Sequence, residues 1–191
     1  MNVALPPPEH RTVEAREHHH IGEGGLPVAH TSQLVVEALA RMIKYPYRFD
    51  TNTARVEATT GGTAGEVYEV GDGIHAVDIT LDEPLEPGER ATIAYDTEFS
   101  YRTPPPPEFR RTVGATGMEH LVMQVTFQPE KLPHRISWAQ WNGYGPDAQI
   151  VPGTEELVEL SPMNAEPDAP LDVWRELSNV PSGVYGYRWE W

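Results

Sequence analysis

Polar and apolar residues alternate along most of the chain, and the alternation has period two. From Arg90 to Tyr101, Ala91, Ile93, Tyr95, Thr97, Phe99 and Tyr101 fall on one face, and Arg90, Thr92, Ala94, Asp96, Glu98 and Ser100 on the other. Successive side chains of a strand point to opposite sides, so this segment is predicted to be a half-buried β-strand. Glu119 to Gln128 repeats the pattern. Leu121, Met123, Val125 and Phe127 point inward, and His120, Gln124, Thr126 and Gln128 outward. Val122 interrupts the outer face and predicts partial cover there. Gly183 to Trp191 places Tyr185, Tyr187, Trp189 and Trp191 in one row, which buries much area per residue.

Other segments follow the same rule. His75, Val77, Ile79 and Leu81 share one face of a strand. Arg135 to Trp141 is short, with Ile136 and Trp138 on one side and Ala139 and Trp141 on the other. Arg11–Ile21, Tyr47–Ala58, Glu66–Val70 and Glu155–Ser161 complete the predicted strands. Between them lie turn-forming stretches: Gly22–Gly25, Gly61–Gly62, Gly71–Gly73, Glu86–Glu89 and Pro152–Gly153. Ser32 to Met42 has helical propensity, but it follows a Gly-rich turn after a strand. It reads better as the return arm of a long hairpin, because its neighbours need a pairing partner. Asp168 to Asn179 is predicted as a short helix, with Asp168 as cap and Pro170 in its first turn.

Short strands at close spacing, separated by turn signals, predict an all-β fold with little helix. The expected architecture is a two-sheet antiparallel β-sandwich, immunoglobulin-like in style. Residues 1–9 are expected to form an extended Pro-rich N-terminal segment and residues 10–191 one domain. Pro104-Pro105-Pro106-Pro107 favours polyproline II and cannot enter a central strand. It is expected to carry the chain from one sheet to the other; the alternative is a ligand for an SH3-like domain.

Composition narrows the function classes. The 191 residues hold 19 prolines and 16 glycines, in keeping with many turns, and no cysteine. Disulfides, thiolate catalysis and cysteine-ligated metals are therefore excluded. Lys plus Arg number 14 against 29 Asp plus Glu, for a formal charge of −15. That field repels phosphate, so neither nucleic acid nor an anionic membrane is an expected partner. The acidic stretches read either as solvated surface or as a docking face for a basic partner or cations. No signal-peptide pattern or long apolar run is present, and a cytoplasmic location is expected.

The standard phosphate-loop, dinucleotide, zinc-protease and nucleophile-elbow fingerprints are absent. The candidate chemistry is sparse. His18 and His20 share one face of a strand, so both imidazoles could reach one metal; the other reading is an exposed polar strand end. No cofactor is expected beyond a divalent metal at that pair. His75 and His120 are the candidate catalytic groups, as a buried general base and an outward-facing imidazole. His75 also reads as a core histidine with one satisfied hydrogen bond, and neither histidine belongs to a recognisable triad. Trp141, Tyr144 and Trp174 are the candidate ligand or partner contacts. Trp141, leading into a Gly-containing loop, is expected to be exposed, and Trp138 and Tyr187 to lie in the core.

Tyr45-Pro46-Tyr47-Arg48-Phe49, Leu85-Glu86-Pro87-Gly88-Glu89, Leu132-Pro133 before Trp138, and the closing Tyr187-Arg188-Trp189-Glu190-Trp191 resemble an uncharacterised β-rich domain of actinobacterial proteins. In that family the domain often follows a helix-turn-helix module, for which this chain has no room before Arg11. The resemblance implies a sensing or partner-binding module and supplies no catalytic residues. The leading expectation is a non-enzymatic binding or regulatory module that recognises a partner protein or small ligand. The alternatives are a small cyclase, isomerase or hydrolase using His or carboxylate acid–base chemistry in an aromatic-lined pocket, and a metal-binding protein.

Overall fold

The computed structural model describes residues 8–71, 73–145, 147–158 and 169–191. Most of the expected Pro-rich N-terminal segment (residues 1–7) lies outside them, as does the end of the Glu155–Ser161 strand. The described residues form an all-β, sandwich-like fold with no helix. Among the described residues there are fourteen strands: β1 (His10–Ile21), β2 (Pro27–Ala38), β3 (Met42–Phe49), β4 (Arg55–Thr60), β5 (Gly62–Ala64), β6 (Tyr68–Gly71), β7 (Ile74–Leu85), β8 (Arg90–Glu98), β9 (Glu108–Val113), β10 (Met118–Phe127), β11 (Arg135–Trp141), β12 (Glu156–Leu157), β13 (Leu171–Val180) and β14 (Gly183–Glu190).

One layer is a six-stranded sheet in the order β13-β10-β1-β2-β8-β4. The second layer is split between two four-stranded sheets. One runs β12-β11-β14-β9; the other is β3-β7-β5, with β6 also paired to β7. Both smaller sheets press on the same face of the large one. Tyr47 of β3 meets Tyr95 of β8 at 4.4 Å between ring centroids, and Trp189 of β14 meets Phe127 of β10 edge-on at 5.2 Å. A continuous core, including Leu34, Ile79, Ile93, Leu121, Met123 and Tyr187, joins all three sheets. Trp138 and Tyr187 are both core residues, packed edge to face at 5.0 Å.

The inner rows follow the alternation. Leu121, Met123, Val125 and Phe127 are fully buried, as are Ile93 and Tyr95. Val122 on the outer face is half-buried. Ser32–Ala38 is strand and forms the return arm of the β1–β2 hairpin. The hairpin turns at Gly22–Gly25, closed by Gly25 N–H donating to Gly22 O at 2.8 Å. The proline run lies between β8 of the large sheet and β9 of a small one, so it carries the chain between layers.

Three expectations are corrected. Tyr47–Ala58 is two strands, β3 and β4, separated by a turn that moves the chain from a small sheet to the large one. The segment read as a helix from Asp168 is β13 from Leu171 onward. Val173 is buried and Leu177 half-buried, while Asp172, Trp174, Glu176 and Ser178 are exposed. That period-two burial, with nine registered positions opposite β10, overrides the local capping signal. One pairing also departs from the antiparallel expectation: β1 runs parallel to β10 from Glu14↔His120 to Ile21↔Phe127.

Close approach of β9 to β14 depends on a missing side chain. A Cβ at Gly186 would stand 1.9 Å from the Phe109 carbonyl oxygen and 2.9 Å from Arg110 Cα. Gly186→Ala should force the strands apart and cost about 1–3 kcal/mol in chemical denaturation. Gly24→Ala, where an added Cβ meets nothing within 4 Å, should change stability by no more than about 0.5 kcal/mol.

Candidate functional site

Strand β1 presents chemistry on both of its faces. Val13, Ala15, Glu17, His19 and Ile21 point into the sandwich, so two titratable groups enter the core. The Glu17 carboxylate forms an ion pair at 2.7 Å with Arg111 Nη1, which arrives from β9 on the opposite layer. Its second oxygen lies 3.7 Å from His30 Nε2 on β2. His30 also has Tyr47 Oη at 3.2 Å from Nδ1 and Ser32 Oγ at 3.3 Å from Nε2. His19 stacks on Phe109 at 4.5 Å with the rings nearly parallel, and its Nδ1 has no hydrogen-bond partner among the described residues.

Electrostatics in this cluster follow from burial. Loss of water pushes the Glu17 carboxyl up, and the Arg111 charge opposes that shift. Burial alone would lower the Arg111 pKa, but Glu17 and the surrounding tyrosines outweigh it and hold it above the ordinary value. Burial lowers His30 to about 3, helped by the Arg111 charge and by His20 and His18. His19 is driven well down by burial and by His30. The phenols of Tyr47 and Tyr95 are raised by burial. At neutral pH the cluster therefore holds two neutral imidazoles beside one cross-layer ion pair, closed off from solvent.

The outer face of β1 belongs to the open side of the six-stranded sheet. The registers align one row across all six strands: Trp174, Gln124, His18, Thr31, Asp96 and Glu57. The next row reads Asp172, Thr126, His20, Ala29, Glu98 and Arg55. Trp174 is 63% exposed on this face. His18 and His20 come together, with ring centroids 3.8 Å apart. His18 Nε2 meets Thr126 Oγ1 at 2.6 Å, and Thr126 donates in turn to Asp172. Partial burial lowers the pKa of both imidazoles, with Asp172 working against the shift.

The remaining sequence candidates are scattered. His75 is half-buried at the start of β7, with Nδ1 3.2 Å from the Gly73 carbonyl, and so is not the fully buried base expected from its apolar neighbours. His120 lies on β10 in a different sheet, its Nε2 2.6 Å from Glu176 Oε1. Trp141 is corrected: it is only 5% exposed, because it still belongs to β11 and packs with Val184, Ala148 and Ile150. Tyr144 beyond it is 52% exposed. Arg110 lies over both rings, 5.6 Å from Trp141 and 5.2 Å from Tyr144. An open groove of about 390 Å³ runs past Trp141, Pro106, Pro107 and Ile150. A second, of about 350 Å³, separates β13 from β11, where Arg175 covers Trp138 at 5.0 Å and pairs with Glu156 at 2.7 Å.

Sequence reasoning missed the Glu17–Arg111–His30 cluster. Glu17 and His19 lie in phase with Val13, Ala15 and Ile21, and that polar interruption of an apolar row was the available signal.

No protein-family model and no curated protein sequence matches the chain. Among solved structures, an M1 zinc metallopeptidase from Deinococcus radiodurans is similar at 16% identity and a TM-score of 0.42, over 82% of this chain and 40% of that one. A mutant of that enzyme gives 17% and 0.41, over 80% and 39%. A two-domain M1 zinc metallopeptidase mutant bound to L-tryptophan gives 16% and 0.41, over 95% and 44%. The chain spans less than half the length of these peptidases.

Arg111→Met should destabilise the fold by about 3 kcal/mol, because it leaves the Glu17 carboxylate buried without its counter-charge. Adding Glu17→Leu should restore most of that loss, as a double-mutant cycle in urea would show. Stability should also fall on mild acidification. His30 protonates near pH 6.5 when unfolded but only near pH 3 when folded. Between those values the unfolded chain binds more protons, so stability is full above pH 6.5 and lost progressively below it. His19 acts in the same sense; Glu17, with its raised pKa, acts against it. His30→Asn should therefore show a shallower fall in melting temperature between pH 7 and pH 5.

Proposed function

We propose that the protein is a non-enzymatic binding module that takes a cationic segment of a partner protein, or a small cationic ligand, on the open face of its six-stranded sheet. The observation that carries this reading is the row of Trp174, Gln124, His18, Thr31, Asp96 and Glu57 laid in register across six strands. An exposed indole on a paired strand is an uncommon surface group, since a large aromatic in water loses the area it could bury. Its neighbours supply hydrogen-bond acceptors and negative charge: Asp172 and Glu176 on its own strand, and Asp96, Glu98 and Glu57 across the sheet. Arg55, ion-paired to Glu98 at 3.9 Å, is the countervailing charge in the second row. An ammonium or guanidinium group over the indole gains both the cation–π attraction and the carboxylate field.

The other titratable groups support the same reading. The buried charge pairing, Glu17 with Arg111, is enclosed by the core and serves the packing of the two layers. His75 and His120 lie on separate sheets, each with its own local partner. Titration of the full chain with a Lys/Arg-rich peptide, followed by Trp fluorescence at several salt concentrations, tests the proposal. Binding should weaken as salt rises, and Trp174→Ala should reduce affinity at least tenfold with an unchanged melting temperature. Salt-independent binding, or equal affinity in Trp174→Ala, would overturn it.

A further inference from the structure

His18 and His20 leave the same side of β1 two residues apart, held between β2 and β10 by backbone pairing on either side. Their ring centroids are 3.8 Å apart and their planes inclined at 38°. The hydrogen-bond chain beside them assigns a tautomer. Thr126 Oγ1 donates to Asp172 Oδ1. A hydroxyl has a single hydrogen, so toward His18, 2.6 Å away, Thr126 is the acceptor. His18 Nε2 therefore carries the proton, and Nδ1 keeps its lone pair. A metal-ligating histidine is held in the same way, its far nitrogen donating to a carboxylate or another acceptor that orients the ring and raises its basicity. Here Asp172 acts through Thr126.

We propose that His18 Nδ1 and a ring nitrogen of His20 chelate one divalent first-row transition ion on the open face of the sheet. An ion about 2.0–2.1 Å from each nitrogen sets its two donors on the order of 3 Å apart, so the rings, packed at 3.8 Å, splay slightly on binding to turn both lone pairs onto it. No three His, Asp or Glu side chains converge as a ligand set among the described residues. Asp172 is engaged by Thr126 and, at 3.4 Å, by Gln124. The ion's other positions therefore face outward, open to water or to a donor from another molecule. Two imidazoles favour Cu²⁺, then Ni²⁺ and Zn²⁺, and discriminate against Mg²⁺ and Ca²⁺, which prefer oxygen. This inference does not rest on the cationic-partner reading, because it concerns the imidazoles and not the indole or the acidic row.

The test uses the full chain without an affinity tag, titrated with Cu²⁺ by electron paramagnetic resonance and with Zn²⁺ by calorimetry, with Mg²⁺ as control. One Cu²⁺ per chain with nitrogen hyperfine structure is expected, and no Mg²⁺ heat. His18→Gln or His20→Gln should weaken binding at least tenfold, while His134→Gln, an exposed histidine elsewhere, should leave it unchanged. Thr126→Val keeps both imidazoles but frees the His18 tautomer, and should weaken binding by about tenfold. The unmodified protein supplies a readout that needs no variant: long-range ¹⁵N–¹H spectra should show His18 protonated at Nε2, and a Zn²⁺-dependent shift at its Nδ1. Unchanged affinity in the His18→Gln/His20→Gln double variant, equal loss in His134→Gln, or a His18 protonated at Nδ1 would each overturn the proposal.

Discussion

Strand β1 is held antiparallel by β2 on one side and parallel by β10 on the other, and the second of these pairings organises the molecule. It joins residues more than a hundred positions apart, from Glu14↔His120 to Ile21↔Phe127. Without it β13 and β10 would separate from β1, β2, β8 and β4, and the large sheet would fall into two fragments. The inner face would lose the floor on which both smaller sheets rest. The outer face would lose the juxtaposition of Thr126 and Asp172 with His18. The core and the surface chemistry thus share one long-range constraint. A parallel ladder of this kind takes its stability mainly from burial and is uncommon at a sheet edge, which fits its central place here.

The inner face of β1 shows how the two layers find their register. Apolar contacts such as Met123 or Ile93 against the opposing sheets are tolerant of small slides. The Glu17–Arg111 pair is not, because one relative position brings the guanidinium to the carboxylate at 2.7 Å. Buried ion pairs contribute little net stability once desolvation is counted. Their effect is on the alternatives: a slid arrangement leaves two charges enclosed and unmatched. His19 stacked on Phe109 and His30 against Tyr47 extend this polar seam between the large sheet and both small ones.

Period-two patterning carried most of the fold. The rows of β8, β10 and β14 were legible because one side of each is continuously apolar, and the Gly and Pro clusters marked the turns between them. Strand partnership was not legible, since alternation specifies a face and says nothing about which strand lies alongside. That is why the parallel β1–β10 pair and the division of the second layer emerge only in three dimensions. β13 was misread because Asp168 and Pro170 imitate a helix start, while the burial of Val173 depends on a partner elsewhere in the chain. At the candidate site, the shared face of His18 and His20 was legible from their spacing. Thr126 and Asp172 come from two other strands and could be connected to them only through the register. Trp141 was misjudged because its cover, Val184 of β14 with Ala148 and Ile150 of the following loop, comes from residues that strand periodicity does not reveal.

The distance along the chain between β1 and β10 also governs how the protein is made. A ribosome releases β1 and β2 long before Met118–Phe127 has been synthesised. During that interval the hairpin carries a long open edge with Ala15, Ile21, Leu34 and Val36 on a bare apolar face, the kind of surface that invites pairing with another nascent chain. His18, His19, His20 and the charged Glu14, Arg16 and Glu17 interrupt that edge at short intervals. Polar and charged groups on an open strand edge disfavour pairing with another chain, and the same side chains lie in the buried seam and on the open face of the finished sheet. Closure of so distant a pairing is slow by the measure of contact order, which lengthens the time for which that edge stays open.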